Sequence, residues 1–227
     1  MNAYTKNGGY LMNKWAFVSD FDGTISHKDF YWIVIEKYFP EGKRLFEQWR
    51  AGKIKDIDFL NTIFTSIHQD EEKIIEDIHH IPIDETVLPF ITHVQRNGGD
   101  FYILSAGTDY YIRHILKKYD IRGVDIFSNE GYYHDKNIHM RINPNHIHYS
   151  ERYGIDKSSV IRTLKQTYKT VYFIGDSEPD VHAAKVADVT FAKGALQSLL
   201  REKQIPFVPV DTFADVERYL QEKGVLT

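Results

Sequence analysis

Between Trp15 and Ile25 an apolar run, Trp15-Ala16-Phe17-Val18, stops at Ser19-Asp20-Phe21-Asp22-Gly23-Thr24. Consecutive apolar residues with no polar alternation predict a strand buried on both faces, as in a parallel sheet covered by helices. Asp20 and Asp22 are two apart, so an extended backbone carries both carboxylates to the same side. Gly23 permits a sharp turn directly afterwards, and Thr24 brings a hydroxyl and a backbone N–H into the loop. Acids at the carboxyl end of a parallel strand stand where open α/β sheets bind their ligands. An ordinary Asp-Gly turn accounts for Asp22 and Gly23. It does not account for a second carboxylate where the apolar run would otherwise continue.

Later segments repeat the design. Phe101-Tyr102-Ile103-Leu104 predicts a strand running into Ser105-Ala106-Gly107-Thr108, with a helix behind it from about Asp109 to Tyr119. A hydroxyl, small residues and a helix N-terminus together make a natural phosphate cradle. Val171-Tyr172-Phe173-Ile174 predicts another strand, followed by Gly175-Asp176-Ser177-Glu178-Pro179-Asp180 and a helix. Helix-start chemistry explains Ser177 as N-cap, Pro179 in the first turn and Asp180 as the far side of a capping box. Asp176 is left over. Lys157 begins a further helix behind an N-cap at Asp156, where its charge opposes the helix dipole.

Residues 29–84 read differently, as helices without a convincing strand. Phe30, Ile33, Val34, Lys37 and Tyr38 follow one helical stripe, which Pro40-Glu41-Gly42 ends. Leu45, Phe46 and Trp49 mark a second helix. Asp56-Ile57-Asp58 caps a third that runs through Ile67, and Asp70 caps a fourth from Glu71 to His80. A crossover between parallel strands needs one helix, so this stretch is too long for a plain connection. Beyond Val124 the chain turns β-like, with His134-Asp135-Lys136-Asn137 as a hairpin turn. His146 and His148 have alternate spacing, but Glu151 is the only nearby carboxylate, so they read as a solvated loop and not a zinc site.

Composition narrows the function classes. An apolar content of 42% with 14% aromatics supports a packed core. The net charge of -4 gives no electrostatic case for nucleic acid. With no cysteine there are no disulfides, thiolate metal sites or thiol nucleophiles. No run approaches the roughly 18 apolar residues of a membrane span, and the first residues lack a signal-peptide design, so a cytoplasmic protein is expected.

Asp20-Phe21-Asp22-Gly23-Thr24, Ser105 after its strand, Lys157 at its helix start and Gly175-Asp176-Ser177 with Asp180 resemble, in that order, the four motifs of the haloacid-dehalogenase-like phosphatases. The resemblance runs from Trp15 to about Leu220. It implies a Rossmann-like α/β core at 12–28 and 85–227, a helical cap inserted at 29–84, and a loose tail at 1–11. It further implies a magnesium-dependent phosphomonoesterase acting on a small phosphorylated metabolite through an aspartyl-phosphate. In that scheme Asp20 is the nucleophile and Asp22 the acid/base. Thr24, Ser105, Ala106 and Lys157 bind the phosphoryl group. Mg²⁺ is held by Asp20, the backbone carbonyl of Asp22, and Asp176, with Asp180 supporting. Ala106-Gly107 and the helical cap resemble the phosphoserine-phosphatase-like branch. Ile103 to Tyr111 and Phe127-Ser128-Asn129-Glu130 look most like the methionine-salvage phosphatases within it, which implies a methylthio-bearing enol phosphate as substrate. Phosphoserine is the alternative: Asp29 would face its ammonium, and Arg44 or Arg50 its carboxylate. Rings around Phe30-Tyr31-Trp32 and Phe59 to Phe64 instead favour an uncharged thioether tail. A phosphomutase would share the core chemistry. A receiver-like signalling module would need neither a helical cap nor the second acid.

Overall fold

The computed structural model describes residues 14–227. The tail expected at 1–11 and the start of the core at 12 and 13 lie outside the described residues.

The strand predicted from the opening apolar run, β1 (Trp15–Ser19), is the centre of the sheet. Helices α1 (Phe30–Lys37), α2 (Gly42–Arg50), α3 (Asp56–Phe64) and α4 (Glu71–His79) follow it, then α5 (Val87–Arg96). Next come β2 (Asp100–Thr108), α6 (Asp109–Lys118) and the hairpin of β3 (Val124–His134) with β4 (Asn137–Arg141). A small hairpin, β5 (Tyr149–Ser150) and β6 (Gly154–Ile155), precedes α7 (Lys157–Leu164), β7 (Thr170–Gly175) and α8 (Asp180–Ala184). The chain finishes with β8 (Val189–Ala192), α9 (Gly194–Glu202), β9 (Val208–Pro209) and α10 (Phe213–Glu222). The main sheet has the order β4-β3-β2-β1-β7-β8-β9 and is parallel except for β4.

Both faces of β1 are buried, which is why its sequence does not alternate. Phe17 pairs in register with Phe101 of β2 and Tyr172 of β7, and the three rings run as a stacked row on one face. Phe90 of α5 meets Phe17 edge-on at 4.8 Å, and Phe213 of α10 closes over the same face. Ala16, Val18 and Phe173 point to the opposite face, into a second cluster with Val160 and Ile161 of α7 and Leu196 of α9. Burying a phenylalanine such as Phe17 completely contributes about 2–3 kcal/mol, so this central rung fixes the strand positions firmly.

The helices α1 to α4 join the sheet through one short backbone ladder. Ser26 and Ile83 form a bridge, flanked by His27 N–H to the Pro82 carbonyl at 2.8 Å and Asp84 N–H to the Ile25 carbonyl at 2.9 Å. Two further clamps hold this unit over the strand ends. On one side Gln69 N–H donates to the Lys136 carbonyl at the β3–β4 turn. On the other, Arg152 from the β5–β6 turn pairs with Asp56 at 2.8 Å while its carbonyl accepts from Ile57 N–H.

Several local expectations change. Asp70 makes no side-chain cap on α4, and α3 opens at Asp56 behind Lys55. The segment from Val124 to His134 is one continuous strand. Asp135 and Lys136 both adopt positive φ, giving the mirror-image two-residue turn that matches strand twist. His148 is buried instead of solvated: its ring packs edge-on against Phe127, and its Nδ1 lies 2.8 Å from the Ser159 hydroxyl. No helix among the described residues is long and apolar enough to cross a membrane.

Candidate active site

The carboxyl ends of β1, β2 and β7 bring Asp20, Ser105 and Asp176 together, and the start of α7 adds Lys157. Asp20 is tied to the sheet by its own N–H, which donates to the Ile174 carbonyl at 3.0 Å. The Lys157 ammonium lies 2.6 Å from Asp20 Oδ1 and 2.6 Å from Asp180 Oδ1, and all three side chains are buried. The other oxygen of Asp180 accepts from the N–H groups of Asp176 at 2.9 Å and Ser177 at 3.1 Å. Asp180 therefore folds the β7–α8 turn and anchors the lysine at once. Of the box expected between Ser177 and Asp180, the bond from Ser177 N–H to Asp180 forms, while α8 begins only at Asp180 with Pro179 at its N-cap position.

Two glycines are required by this crowding. A Cβ at Gly23, which has φ +78°, would lie 2.4 Å from Asp176 Oδ2. A Cβ at Gly175 would lie 2.4 Å from the Asp180 carboxyl carbon.

The electrostatics are unbalanced. Burial pushes the Asp20 carboxyl up, and Lys157 offsets this only in part. Burial also raises Asp176, and the Asp20 charge adds to the shift. For Asp22 burial again leads, followed by the charge of Asp29. Burial alone would strip Lys157 of its proton, but Asp180 and Asp20 prevail and hold it above its ordinary value. Asp176 forms no ion pair among the described residues, and its nearest side-chain donor is the Thr24 hydroxyl at 3.5 Å. Asp20, Asp176 and Asp180 each offer an oxygen within 4.8 Å of the others. Asp180 already has both oxygens engaged, so Asp20 and Asp176 are the acids with capacity for a cation. Two neighbouring carboxylates, Asp20 buried and Asp176 partly buried, make a hard, oxygen-only donor set that fits Mg²⁺.

Asp22 has no cation beside it. Its Oδ2 accepts from the Tyr111 hydroxyl at 2.5 Å and the Ser105 hydroxyl at 3.3 Å, and its Oδ1 from Phe30 N–H at 3.4 Å. Ser105 also accepts from Gly107 N–H, where the β2–β3 register shifts between Leu104 and Thr108. That irregularity turns the Ser105–Gly107 backbone out of the ladder. Asn129 secures it by donating to the carbonyls of Ala106 and Tyr153.

A cavity of about 80 Å³ lies over these groups. Asp20, Asp22, Ser105, Ala106 and Lys157 line its floor. Tyr31, Trp49, Leu60 and Phe64 line the wall supplied by α1 to α3, with the acids Asp29 and Asp56 among them. Asp56 is held by Arg152 at 2.8 Å. Arg44 and Arg50 stand exposed on α2 and do not line the cavity. Thr24 is buried with its hydroxyl towards Asp176 and does not line it either. Tyr111 and Lys193 were not legible as site residues. Tyr111 sits inside an ordinary apolar stripe of α6, and Lys193 is a lone lysine after β8 whose ammonium holds the Thr24 carbonyl at 2.9 Å.

The family profile described as haloacid dehalogenase-like hydrolase matches residues 17–185. The chain belongs to that family. This haloacid dehalogenase-like hydrolase is 30% identical over 219 residues to a 2-hydroxy-3-keto-5-methylthiopentenyl-1-phosphate phosphatase of Brevibacillus brevis, covering 93% of this chain and 97% of the relative. It is also 30% identical over 208 residues to the protein of that name from Bacillus cereus strain G9842, covering 89% and 94%. A solved phosphoserine phosphatase, captured as an analogue of its phospho-aspartyl intermediate, superposes with a TM-score of 0.67 at 16% identity, covering 91% of this chain and 99% of that one. At that identity the likeness speaks for the fold.

Proposed function

We propose that this hydrolase is a magnesium-dependent phosphomonoesterase that works through a phosphorylated Asp20. The observation that carries the reading is the division of labour between its two neighbouring acids. Asp20 lies against a buried ammonium and opposite the unpaired Asp176, while Asp22 is enclosed by neutral donors only. A carboxylate beside positive charge ionises more readily and can attack; one with no cation beside it more readily keeps a proton to give away.

A phosphate monoester is an anion and repels a carboxylate nucleophile. Lys157 and the Ser105 hydroxyl, with the N–H groups of the turn after Asp22, would hold the phosphoryl oxygens. Mg²⁺ held by Asp20, Asp176 and the carbonyl of Asp22 would neutralise the remaining charge at the same place. Asp20 attacks phosphorus to form the aspartyl-phosphate, and Asp22 gives its proton to the departing alkoxide. The same carboxylate then takes a proton from the water that cleaves the intermediate. Asp180 acts by holding Lys157 in place. The unit at 29–84 serves as a cap that encloses the reacting atoms and chooses the substrate.

For the substrate we infer the methylthio-bearing enol phosphate named in the relatives. Rings and an aliphatic side chain make the cap-side wall, where a thioether gains mild sulfur–aromatic contacts. The carboxylate of phosphoserine would instead meet Asp29 and Asp56, and Arg152 beside them is already paired with Asp56. An unpaired buried carboxylate is costly. Phosphoserine keeps one supporting contact, Asp29, as a partner for its ammonium. Measuring kcat/KM for both esters decides between them: equal or better turnover of phosphoserine would overturn the enol phosphate assignment.

A further inference from the structure

Tyr111 is a fully enclosed phenol with its hydroxyl in the reaction centre. Its ring is wedged among Phe21, Phe30 and Phe64, with centroids 5.8, 5.2 and 6.2 Å away, so the side chain has one position open to it. From there the hydroxyl reaches Asp22 Oδ2 at 2.5 Å, the shortest contact that carboxyl makes. A phenol keeps its O–H at neutral pH, so the group stands as a donor to that oxygen. The backbone accommodates it at Gly107, where a Cβ would fall 1.8 Å from the Tyr111 hydroxyl and 3.1 Å from Asp22 Oδ2. A residue is thus left without a side chain for this hydroxyl to pass.

We propose that Tyr111 is a positioning residue for the acid/base step, its hydroxyl occupying Oδ2 of Asp22 and leaving Oδ1 as the oxygen that delivers the proton. The proposal rests on the acid role of Asp22 given above. A carboxyl protonated at random presents its O–H to the leaving group only part of the time. With Oδ2 accepting from Tyr111, which stays there when the Ser105 hydroxyl turns to the phosphoryl group, the exchangeable proton resides on Oδ1, where Phe30 N–H is a long and weak competitor at 3.4 Å. Tyr111 neither touches phosphorus nor gives up a proton. It makes one geometry of Asp22 the standing one.

The test compares leaving groups. A primary alkyl phosphate needs its oxygen protonated as it departs, whereas p-nitrophenyl phosphate expels a stable phenolate unaided. In Tyr111→Phe, kcat on the alkyl ester is expected to fall about tenfold, with KM changed less than about twofold and kcat on p-nitrophenyl phosphate within about threefold of the parent, as for loss of a proton-positioning contact. Gly107→Ala should show the same selective loss because it displaces the hydroxyl. In the double variant the two losses should fall short of their product, since removing the hydroxyl makes room for the new Cβ. Asp22→Asn measured beside them separates the two ideas. A steep leaving-group dependence in Asp22→Asn with a flat one in Tyr111→Phe overturns the positioning role alone. A flat dependence in Asp22→Asn removes the acid role and the proposal with it. Independent, fully multiplicative losses in the double variant would also overturn the proposal.

Discussion

Replacing Lys157 with methionine keeps the length and volume of the side chain and removes only the charge. In the parent the ammonium stands 2.6 Å from each of two buried carboxylates, with 4%, 6% and 1% of the Lys157, Asp20 and Asp180 side chains exposed. Removing one partner of so enclosed a group strands the others, at a cost of about 3–5 kcal/mol. For a chain of this size each kcal/mol moves Tm by about 2–4 °C, so metal-free Lys157→Met should melt roughly 6–20 °C below metal-free parent at pH 8. The sign of the pH dependence follows from the carboxyls. Burial already pushes Asp20 up to about 7, and losing Lys157 raises it further. A carboxyl with a folded pKa above its unfolded value favours the folded state at acid pH and loses that contribution as pH climbs through the folded value. The defect should therefore be large at pH 8 and shrink at pH 5, where Asp20 is protonated. Millimolar Mg²⁺ at pH 8 should also recover part of it. Urea and thermal unfolding at both pH values, with and without Mg²⁺, measure this directly. A defect of the same size at pH 5 and pH 8, or one below about 1 kcal/mol at pH 8, would refute the electrostatic account of the cluster.

Asp20→Asn should abolish turnover at a smaller cost in melting temperature than Lys157→Met, because Lys157 keeps Asp180 and the repulsion between Asp20 and Asp176 is relieved. Retention of more than about a tenth of kcat, a barrier change of only about 1.4 kcal/mol, would contradict covalent catalysis by Asp20. Exhaustive chelation should remove activity and Mg²⁺ should restore it, as the open acids are all oxygen donors; full turnover after chelation would sink the metal reading.

Much of the core was legible because strand periodicity and strand-end chemistry are local signals. The unbroken apolar run at 15–18 required burial on both faces, and β1 lies mid-sheet between β2 and β7. Asp20 and Asp22, two apart, do reach one site, although the second turns away towards Ser105 and Tyr111 instead of repeating the environment of the first. Lys157 was conspicuous only as a charge opposing a helix dipole, and its two carboxylate partners come from 137 and 23 residues away. Distance in sequence hid the remainder. Tyr111 looks like any aromatic on a core-facing helical stripe until Gly107 and Asp22 are brought against it. Arg44 and Arg50 were singled out by charge alone, and the rotation of α2 that exposes them depends on how the rings of Phe46 and Trp49 pack on Tyr31 and Phe59. His148 was hidden for the same reason, since a polar stretch does not announce that α7 and Phe127 will cover it.

The two clamps over the strand ends have a consequence for which molecules this enzyme can meet. With Arg152 paired to Asp56 on one side and Gln69 bonded to the β3–β4 turn on the other, the cavity beneath measures about 80 Å³. That is less than the ~150 Å³ that accommodates a single benzene ring in a protein interior, so on the proposed role of 29–84 as a cap a substrate would enter only after an unlatching. Arg152 is 48% exposed while Asp56 is only 6% exposed, so opening this side would leave the Asp56 carboxyl to be met by water. What enters must then fit beneath the closed lid in its entirety. Such a latch would act as a sieve by size: a free metabolite would pass, and a phosphate carried on the surface of another protein would stay outside.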